Sequence, residues 1–297
     1  MVQTRPERYL HKDDVHRHHR EGPNGAGKTT TVKILTSLVK PSSGKVKIFG
    51  HDISKESFLV KKRIGLVLQQ PSYESRLTVE QSLDFYGFYW GIPREERKNR
   101  IKKLLHQFDL ESFKDIVNDD LSIGLRRRVQ IAREFVHNKD LIFLDEPTIG
   151  LDPSARRNLL DHLREKVRLG LTIFLTTHSM EEAEYLCDII AIINKGKIVA
   201  LDTPKGLVQE YGFNKYVEIT MKDAVSEVWL NEMKSKLEDF EQVNVIGTNT
   251  IRLLSINIES IMVKVIGYLS DQKLEIENIA MNSSNLEDVF LTLIDKK

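Results

Sequence analysis

From Gly22 onward the chain alternates short apolar runs with longer stretches whose apolar residues recur at helical spacing. The runs are "IGLVL" (64–68), "LIFL" (141–144), "TIFLTT" (172–177) and "IIAII" (189–193). Rich in Ile, Leu and Phe and lacking polar alternation, they read as strands buried on both faces. Such alternation predicts an α/β domain around a mostly parallel sheet. Before these runs, "GKVKIFG" (44–50) alternates Lys with apolar residues, the pattern of a half-exposed strand. Residues 78 to 115 read as mainly helical and open a helical subdomain extending to about 135. Thr78 with Gln81 three residues on forms a capping box, which fixes a helix start. The aromatic cluster Phe85, Tyr86, Phe88, Tyr89 and Trp90 reads either as a partner-binding surface or as packing within that subdomain.

After about Gly212 the character changes. A strand "KYVEITM" (215–221) precedes an amphipathic helix with Val225, Val228, Trp229, Met233, Leu237 and Phe240 on one side. Two short strands around "GTNT" (247–250), a helix "IESIMVKVIGYL", a strand near "LEIENIAM" and a final helix "NLEDVFLTLI" follow. The β-α-β-β-α-β order is that of a split-βαβ, ferredoxin-like domain. The expected organisation is therefore a leader over 1–21, an α/β domain over 22–212 and a small α+β domain over 213–297.

Composition changes this picture little. The 297 residues suit about two domains. Forty-four Lys plus Arg against 43 Asp plus Glu give a net charge of +1, no footprint for nucleic acid or an anionic membrane. The one cysteine, Cys187, excludes an internal disulfide framework and fits a small core position in a reducing cytosol. No apolar run reaches the roughly 18 residues that span a bilayer. The opening "MVQTRPERYLHKDD" holds no hydrophobic segment, so it is no secretory signal and any membrane role is expected through a partner chain.

The chemistry is more specific. "GPNGAGKT", Gly22-Pro23-Asn24-Gly25-Ala26-Gly27-Lys28-Thr29, fills every position of a phosphate-binding loop, with Thr30 continuing it. Its glycines let successive N–H groups face one concavity, and the helix that follows offers its positive end to the same anion. Lys28 would reach the β- and γ-phosphates, and the Thr29 hydroxyl would bind Mg²⁺. "LIFLDEP" ends a strand in two carboxylates: Asp145, suited to Mg²⁺, and Glu146, suited to polarising an attacking water. Ligands of open α/β sheets sit beyond the carboxyl ends of the strands. Gln69 follows "IGLVL", Asp145 and Glu146 close "LIFL", and His178 follows "TIFLTT", so three strands deliver an amide, a carboxylate pair and an imidazole to one edge. Ser179 and Glu182 read as a capping box for the next helix. In "LSIGLRRRVQIAREF" (121–135), Ser122 and Gly124 stand at a helix start that could bind a second anion. The alternative is an N-cap followed by a solvated arginine face.

In this order the motifs resemble the nucleotide-binding subunits of ATP-binding-cassette (ABC) transporters, from Gly22 to about Thr203. The resemblance implies a P-loop NTPase, RecA-like core. It makes Lys28 the Walker A lysine, Gln69 the Q-loop glutamine and a Mg²⁺ contact, and Asp145 and Glu146 the Walker B pair. Asp152 in "TIGLDP" becomes the D-loop aspartate, His178 the switch histidine, and "LSIGL" the signature that caps ATP bound by the opposite subunit. It further implies a head-to-tail homodimer with two ATP and Mg²⁺, at the cytoplasmic side of the membrane. "RRRVQIAREFVHNKDLIFLDEPTIGLDP" and "NLEDVFLTL" resemble the drug-resistance-type ATPases of ABC-2 exporters, whose separate membrane-spanning subunits dock on the helical region. A soluble ABC ATPase of translation or DNA repair fits less well, because there is one cassette and no basic patch.

Two departures stand out. The signature carries Ile123 where the family has Gly. Upstream, the family places two antiparallel strands, an adenine-stacking aromatic and a central strand. Here Arg17 to Glu21 are too polar for a sheet buried on both faces. Tyr9 is the one upstream aromatic. His11, His16, His18 and His19 offer a metal reading, but no cysteine or second ligand cluster supports it. The expectation is that the N-terminal strands are missing, with residues 1–21 a damaged or misread start. The alternative function is then a compromised remnant acting as a binding module.

Overall fold

The computed structural model describes residues 2–3, 26–70, 72–212, 216–236, 242–254, 258–272 and 274–295. Gly22, Pro23, Asn24 and Gly25, Tyr9, the four upstream histidines and Arg17 to Glu21 lie outside them. The chain divides into two compact units, Met1–Pro204 and Lys205–Lys297.

The first unit runs β1 (Val2–Gln3), α1 (Lys28–Leu35), β2 (Lys47–Ile48), β3 (His51–Asp52), α2 (Ser57–Lys61), β4 (Ile64–Val67), α3 (Val79–Tyr89), α4 (Arg94–Gln107), α5 (Ile123–Glu134), β5 (Leu141–Asp145), α6 (Pro153–Arg168), β6 (Thr172–Thr176), α7 (Met180–Leu186), β7 (Ile189–Asn194) and β8 (Lys197–Asp202). Its main sheet has the order β4-β5-β6-β1-β7-β8. The apolar runs form the strands expected of them, and β4, β5 and β6 are parallel. Their register sets Val67 opposite Leu144, Leu144 opposite Leu175 and Asp145 opposite Thr176, so the three carboxyl ends stop level. Among the described residues before α1, Val2–Gln3 alone join the sheet, antiparallel to both β6 and β7. Val32, Leu35, Ile53, Val60, Ile64, Phe143, Phe174 and Ala191 form one core cluster.

"GKVKIFG" makes no single strand. Lys47–Ile48 turn back on His51–Asp52, because Phe49 (φ 55°) and Gly50 (φ 85°) both adopt the left-handed conformation of a two-residue hairpin turn. The Thr78–Gln81 capping box closes in both directions. Phe85, Phe88 and Tyr89 are 51%, 67% and 73% exposed. Tyr86 turns inward to Glu134 and Lys139, and Trp90 stacks on His137 with ring centroids 4.6 Å apart. The five aromatics thus divide between the two alternatives.

The second unit contains most of α8 (Pro204–Tyr211), then β9 (Tyr216–Met221), α9 (Glu227–Lys236), β10 (Gln242–Ile246), β11 (Thr250–Leu254), α10 (Ile258–Asp271), β12 (Ile276–Asn282) and α11 (Leu286–Asp295). Its antiparallel sheet, order β10-β11-β9-β12, follows from a βαββαβ chain whose first and last strands pair at the centre and edge. Val217, Ile219, Met221, Leu230, Met233, Ile251, Leu253, Ile261 and Val265 pack its core. Val228 does not belong to the buried side of α9: it is 71% exposed, while Leu230 takes its place. Leu237 and Phe240 lie outside the described residues.

Candidate active site

The level ends of β5 and β6 decide what meets at this edge. Glu146 follows β5 and is buried, with φ 50°, a left-handed backbone that costs a non-glycine residue on the order of 1–2 kcal/mol. Its own N–H donates to the Thr176 carbonyl at 2.9 Å, which fixes the peptide before it. The carboxylate receives Lys28 Nζ on Oε1 at 3.1 Å and His178 Nδ1 on Oε2 at 2.7 Å. Lys28 Nζ also lies 3.5 Å from the Thr177 carbonyl. Burial pushes the Glu146 carboxyl up, but the hydrogen bonds and charges of His178 and Lys28 outweigh it and hold the group below its ordinary value. A carboxylate so placed is ionised at neutral pH and presents a proton acceptor between an ammonium and an imidazole.

Asp145 is fully buried, and one of its oxygens accepts from the Thr176 hydroxyl. Its Oδ2 is buried with no hydrogen-bond partner among the described residues. A buried carboxylate oxygen left unpaired is costly, and a cation or its bound water is what satisfies it. The start of α1 makes the complementary demand. Gly27, at φ 92°, caps the helix with no side-chain cap, and no acidic residue sits in its first turn. The first N–H groups of a helix have no internal partner and attract an anion. A phosphate fits the start of α1, and Thr29 and Asp145 are residues that would hold Mg²⁺ beside it. No cluster of three or more His, Cys, Asp or Glu among the described residues could hold a metal by itself.

Gln69 is exposed one residue past Leu68, next to the end of β5 in the sheet order. Ser122 is the N-cap of α5, accepting from Leu125 N at 3.3 Å, and Asp152 is the N-cap of α6, accepting from Ala155 N at 2.9 Å. Gly124 packs so close to this second cap that an added Cβ would stand 3.1 Å from the Gly150 carbonyl oxygen. Ile123 is 69% exposed and lies over Gly150. Lys28, Asp145, Glu146 and His178 form one cluster, whereas Ser122, Gly124 and Asp152 form a separate surface around two helix starts.

Three features were not legible in the sequence. The arginine run is no uniformly solvated face: Arg127 is buried, Arg126 bonds the Tyr73 hydroxyl at 2.9 Å, and Arg128 pairs with Asp109 and Asp152. Glu182 does not complete the expected capping box. Ser179 Oγ accepts from Glu182 N at 3.3 Å, but the Glu182 carboxylate accepts from the Thr177 hydroxyl at 2.8 Å instead. Thr176 and Thr177 thereby brace both the acid pair and the turn that carries His178.

Comparison with known proteins agrees with this geometry. The profile of the ABC transporter family matches residues 20–149. The chain is similar to the linearmycin resistance ATP-binding protein LnrL of Bacillus subtilis (strain 168), 31% identical over 278 residues, 92% of this chain and 87% of that protein. It is also similar to the daunorubicin/doxorubicin resistance ATP-binding protein DrrA of Streptomyces peucetius, 34% identical over 274 residues, 92% of this chain and 82% of that protein. Among solved structures, a dimeric ATP-binding cassette, MJ0796, in a post-hydrolysis state bound to ADP and Pi superposes with a TM-score of 0.57. It is 26% identical, covering 61% of this chain and 82% of that one. Lys28, Asp145, Glu146 and His178 therefore sit in a P-loop NTPase fold, and the chain belongs to the ATP-binding, ATP-hydrolysing subunits of the ABC transporter family.

Proposed function

We propose that this chain hydrolyses ATP at the edge formed by β4, β5 and β6 and so drives export of a drug, lipid or other hydrophobic substrate through separate ABC-2-type membrane subunits. The observation that carries this reading is Glu146, buried and ionised between Lys28 and His178 at the mouth of an uncapped helix start. When the triphosphate enters, its charge competes for Lys28, and the carboxylate loses one of its two partners. Glu146 is then free to orient and deprotonate a water aimed at the γ-phosphate, while His178 holds its other oxygen. Thr29, Gln69 and Asp145 would hold Mg²⁺, which neutralises charge developing on the phosphates when bound. Ala26, Gly27 and Thr30, with Gly22, Pro23, Asn24 and Gly25 outside the described residues, complete the phosphate cradle.

Ser122, Gly124 and Asp152 would face the nucleotide of a second copy, giving a homodimer around two ATP. No helix among the described residues is long and apolar enough to cross a membrane. The exposed Phe85, Phe88 and Tyr89 face of α3 is where a membrane partner would dock, placing the chain at the cytoplasmic side. Three exposed rings on neighbouring turns suit a buried contact.

The test is steady-state ATP turnover with Mg²⁺, alongside size measurement of the Glu146→Gln variant. We expect turnover in the unaltered chain and an ATP-dependent dimer in the variant. Co-purification with an ABC-2 permease should be lost when Phe88 and Tyr89 are replaced by Ser. Absence of ATP binding in the unaltered chain would overturn the reading in favour of a binding module without catalysis.

A further inference from the structure

The Glu146 backbone is strained, and something must hold it. The peptide before it is pinned by the Thr176 carbonyl. That peptide and the two after it are pinned by a side chain from another element: Arg127, in the middle of α5. Arg127 Nη2 donates to the carbonyls of Asp145 at 2.8 Å and Glu146 at 2.9 Å, and its Nε donates to the Pro147 carbonyl at 3.0 Å. Nη1 donates to the Leu68 carbonyl and, at 3.0 Å, to Gln130 Oε1. A guanidinium has five N–H donors, and all five are used.

Three of these bonds go to consecutive carbonyls of the acid-pair turn. A fourth goes to the residue just before Gln69. Gln130, held by Arg127, donates in turn to the carbonyls of Leu68 at 3.3 Å and Gln70 at 3.2 Å and to Ser72 Oγ at 2.9 Å. The carbonyls on both sides of Gln69 are therefore gripped from α5 as well. Arg127 is 6% exposed, and burial lowers its pKa to about 10, opposed by the charges of Asp145 and Glu146, so the cation persists at neutral pH. A core position seeking stability alone is better served by an apolar side chain, since desolvating a charge offsets most of what its pairing contributes.

We propose that Arg127 is a positioning residue for hydrolysis: it clamps the ends of β4 and β5 together, holding Gln69 at a fixed distance from Glu146 and keeping Glu146 in the strained backbone that aims its carboxylate. The inference rests on the reading of Glu146 as the general base. Arg127 touches no reacting atom; it acts through four carbonyls, three at the end of β5 and one at the end of β4. A guanidinium is suited to this because its planar fork reaches several acceptors at once, whereas an ammonium of similar length is a point donor.

The experiment uses the full chain with Arg127→Lys, Arg127→Gln and, in parallel, Glu146→Gln. The readouts are kcat, KM for ATP, ATP affinity by equilibrium binding and thermal unfolding. Because misplacement by about 1 Å can slow a reaction about a hundredfold, we expect ten- to hundredfold lower kcat in Arg127→Lys, with KM and ATP affinity within about threefold. Arg127→Gln, which retains two amide donors, should recover part of the rate.

Unchanged kcat in a folded Arg127→Lys, with Glu146→Gln inactive, would overturn the clamp and leave the base intact. Parallel changes in kcat and KM would do the same. Loss of cooperative unfolding in both Arg127 variants would assign the residue to core stability and also overturn the proposal. Normal turnover in Glu146→Gln, or none in the unaltered chain, would remove the reading beneath it, and the clamp falls with that reading.

Discussion

Two buried carboxylates on this chain are each paired with a lysine, and their surroundings differ in one telling respect. Glu134, at the end of α5, accepts Lys139 Nζ at 2.6 Å and the Tyr86 hydroxyl at 2.9 Å, with both charged side chains at most 5% exposed. Its helix is regular, its neighbour Arg133 pairs with Glu74 at 3.1 Å, and no partner can leave without exposing a charge to an apolar interior. Glu146 accepts Lys28 and His178, but the His178 side chain is 63% exposed and Lys28 sits at the start of a helix built to receive an anion. One cluster is closed and serves the fold. The other is half open, strained and exchangeable, as expected where charge must be handed over during a reaction.

Removing the exchangeable carboxylate should have the largest effect. Glu146→Gln keeps shape and hydrogen bonding but cannot take a proton, so kcat should fall about a thousandfold, on the order of 4 kcal/mol, with ATP binding retained. Turnover assays with binding isotherms check this, and a fall below tenfold would erase the distinction between the clusters.

On the closed side, Lys139→Met leaves Glu134 buried without its cation. Breaking such a pair from one side typically costs about 3–5 kcal/mol, so a chemical-denaturation midpoint should drop sharply. ATP turnover per folded molecule should stay near normal, because the pair lies outside the cluster around Glu146.

A third buried group marks what happens where burial outweighs the one opposing charge nearby, Glu165. His162 lies between the Phe108 and Phe135 rings, and burial, then the nearby Lys166, lower its pKa to about 4. Unfolded, it titrates near the ordinary value of 6.5. Between those values the unfolded chain binds more protons, so stability falls as pH drops from about 6.5 to about 4, by roughly 2–3 kcal/mol from this residue. His162→Phe should flatten that part of the stability–pH curve. An unchanged slope would show that the imidazole is not held neutral. Glu146 has the same sense in a more acidic window: its lowered pKa contributes stability above the ordinary carboxyl range that is lost as pH falls through the lowered value.

The smallest effect distinguishes the two sides most finely. His178→Ala should slow turnover about tenfold, near 1.4 kcal/mol, yet change the unfolding free energy by less than about 0.5 kcal/mol, because its ring is largely in solvent. A larger stability loss would make His178 a structural partner of Glu146, like Lys139 beside Glu134.

The sequence by itself determined the order and kind of elements. Unbroken Ile, Leu and Phe runs can be satisfied only as strands buried on both faces, and parallel strands bring their carboxyl ends to one edge. Hence Asp145, Glu146 and His178, with Lys28 from the glycine-rich loop, could be expected at one edge before any fold was known, and the Lys28, Glu146 and His178 side chains do meet there. It also fixed the helix start at Thr78, because capping is local chemistry within four residues. What only tertiary structure decided depends on partners distant in the chain. Three consecutive arginines read alike, yet Arg127 meets carbonyls from two strand ends, while Arg126 and Arg128 meet a tyrosine and two aspartates. Five clustered aromatics read alike, yet helix α3 turns Tyr86 and Trp90 inward and leaves the others out. Glu182 left its local cap for Thr177, and Phe49 and Gly50 turned a strand into a hairpin. Spacing along a chain fixes which face a residue occupies; the element packed against that face fixes what the residue does.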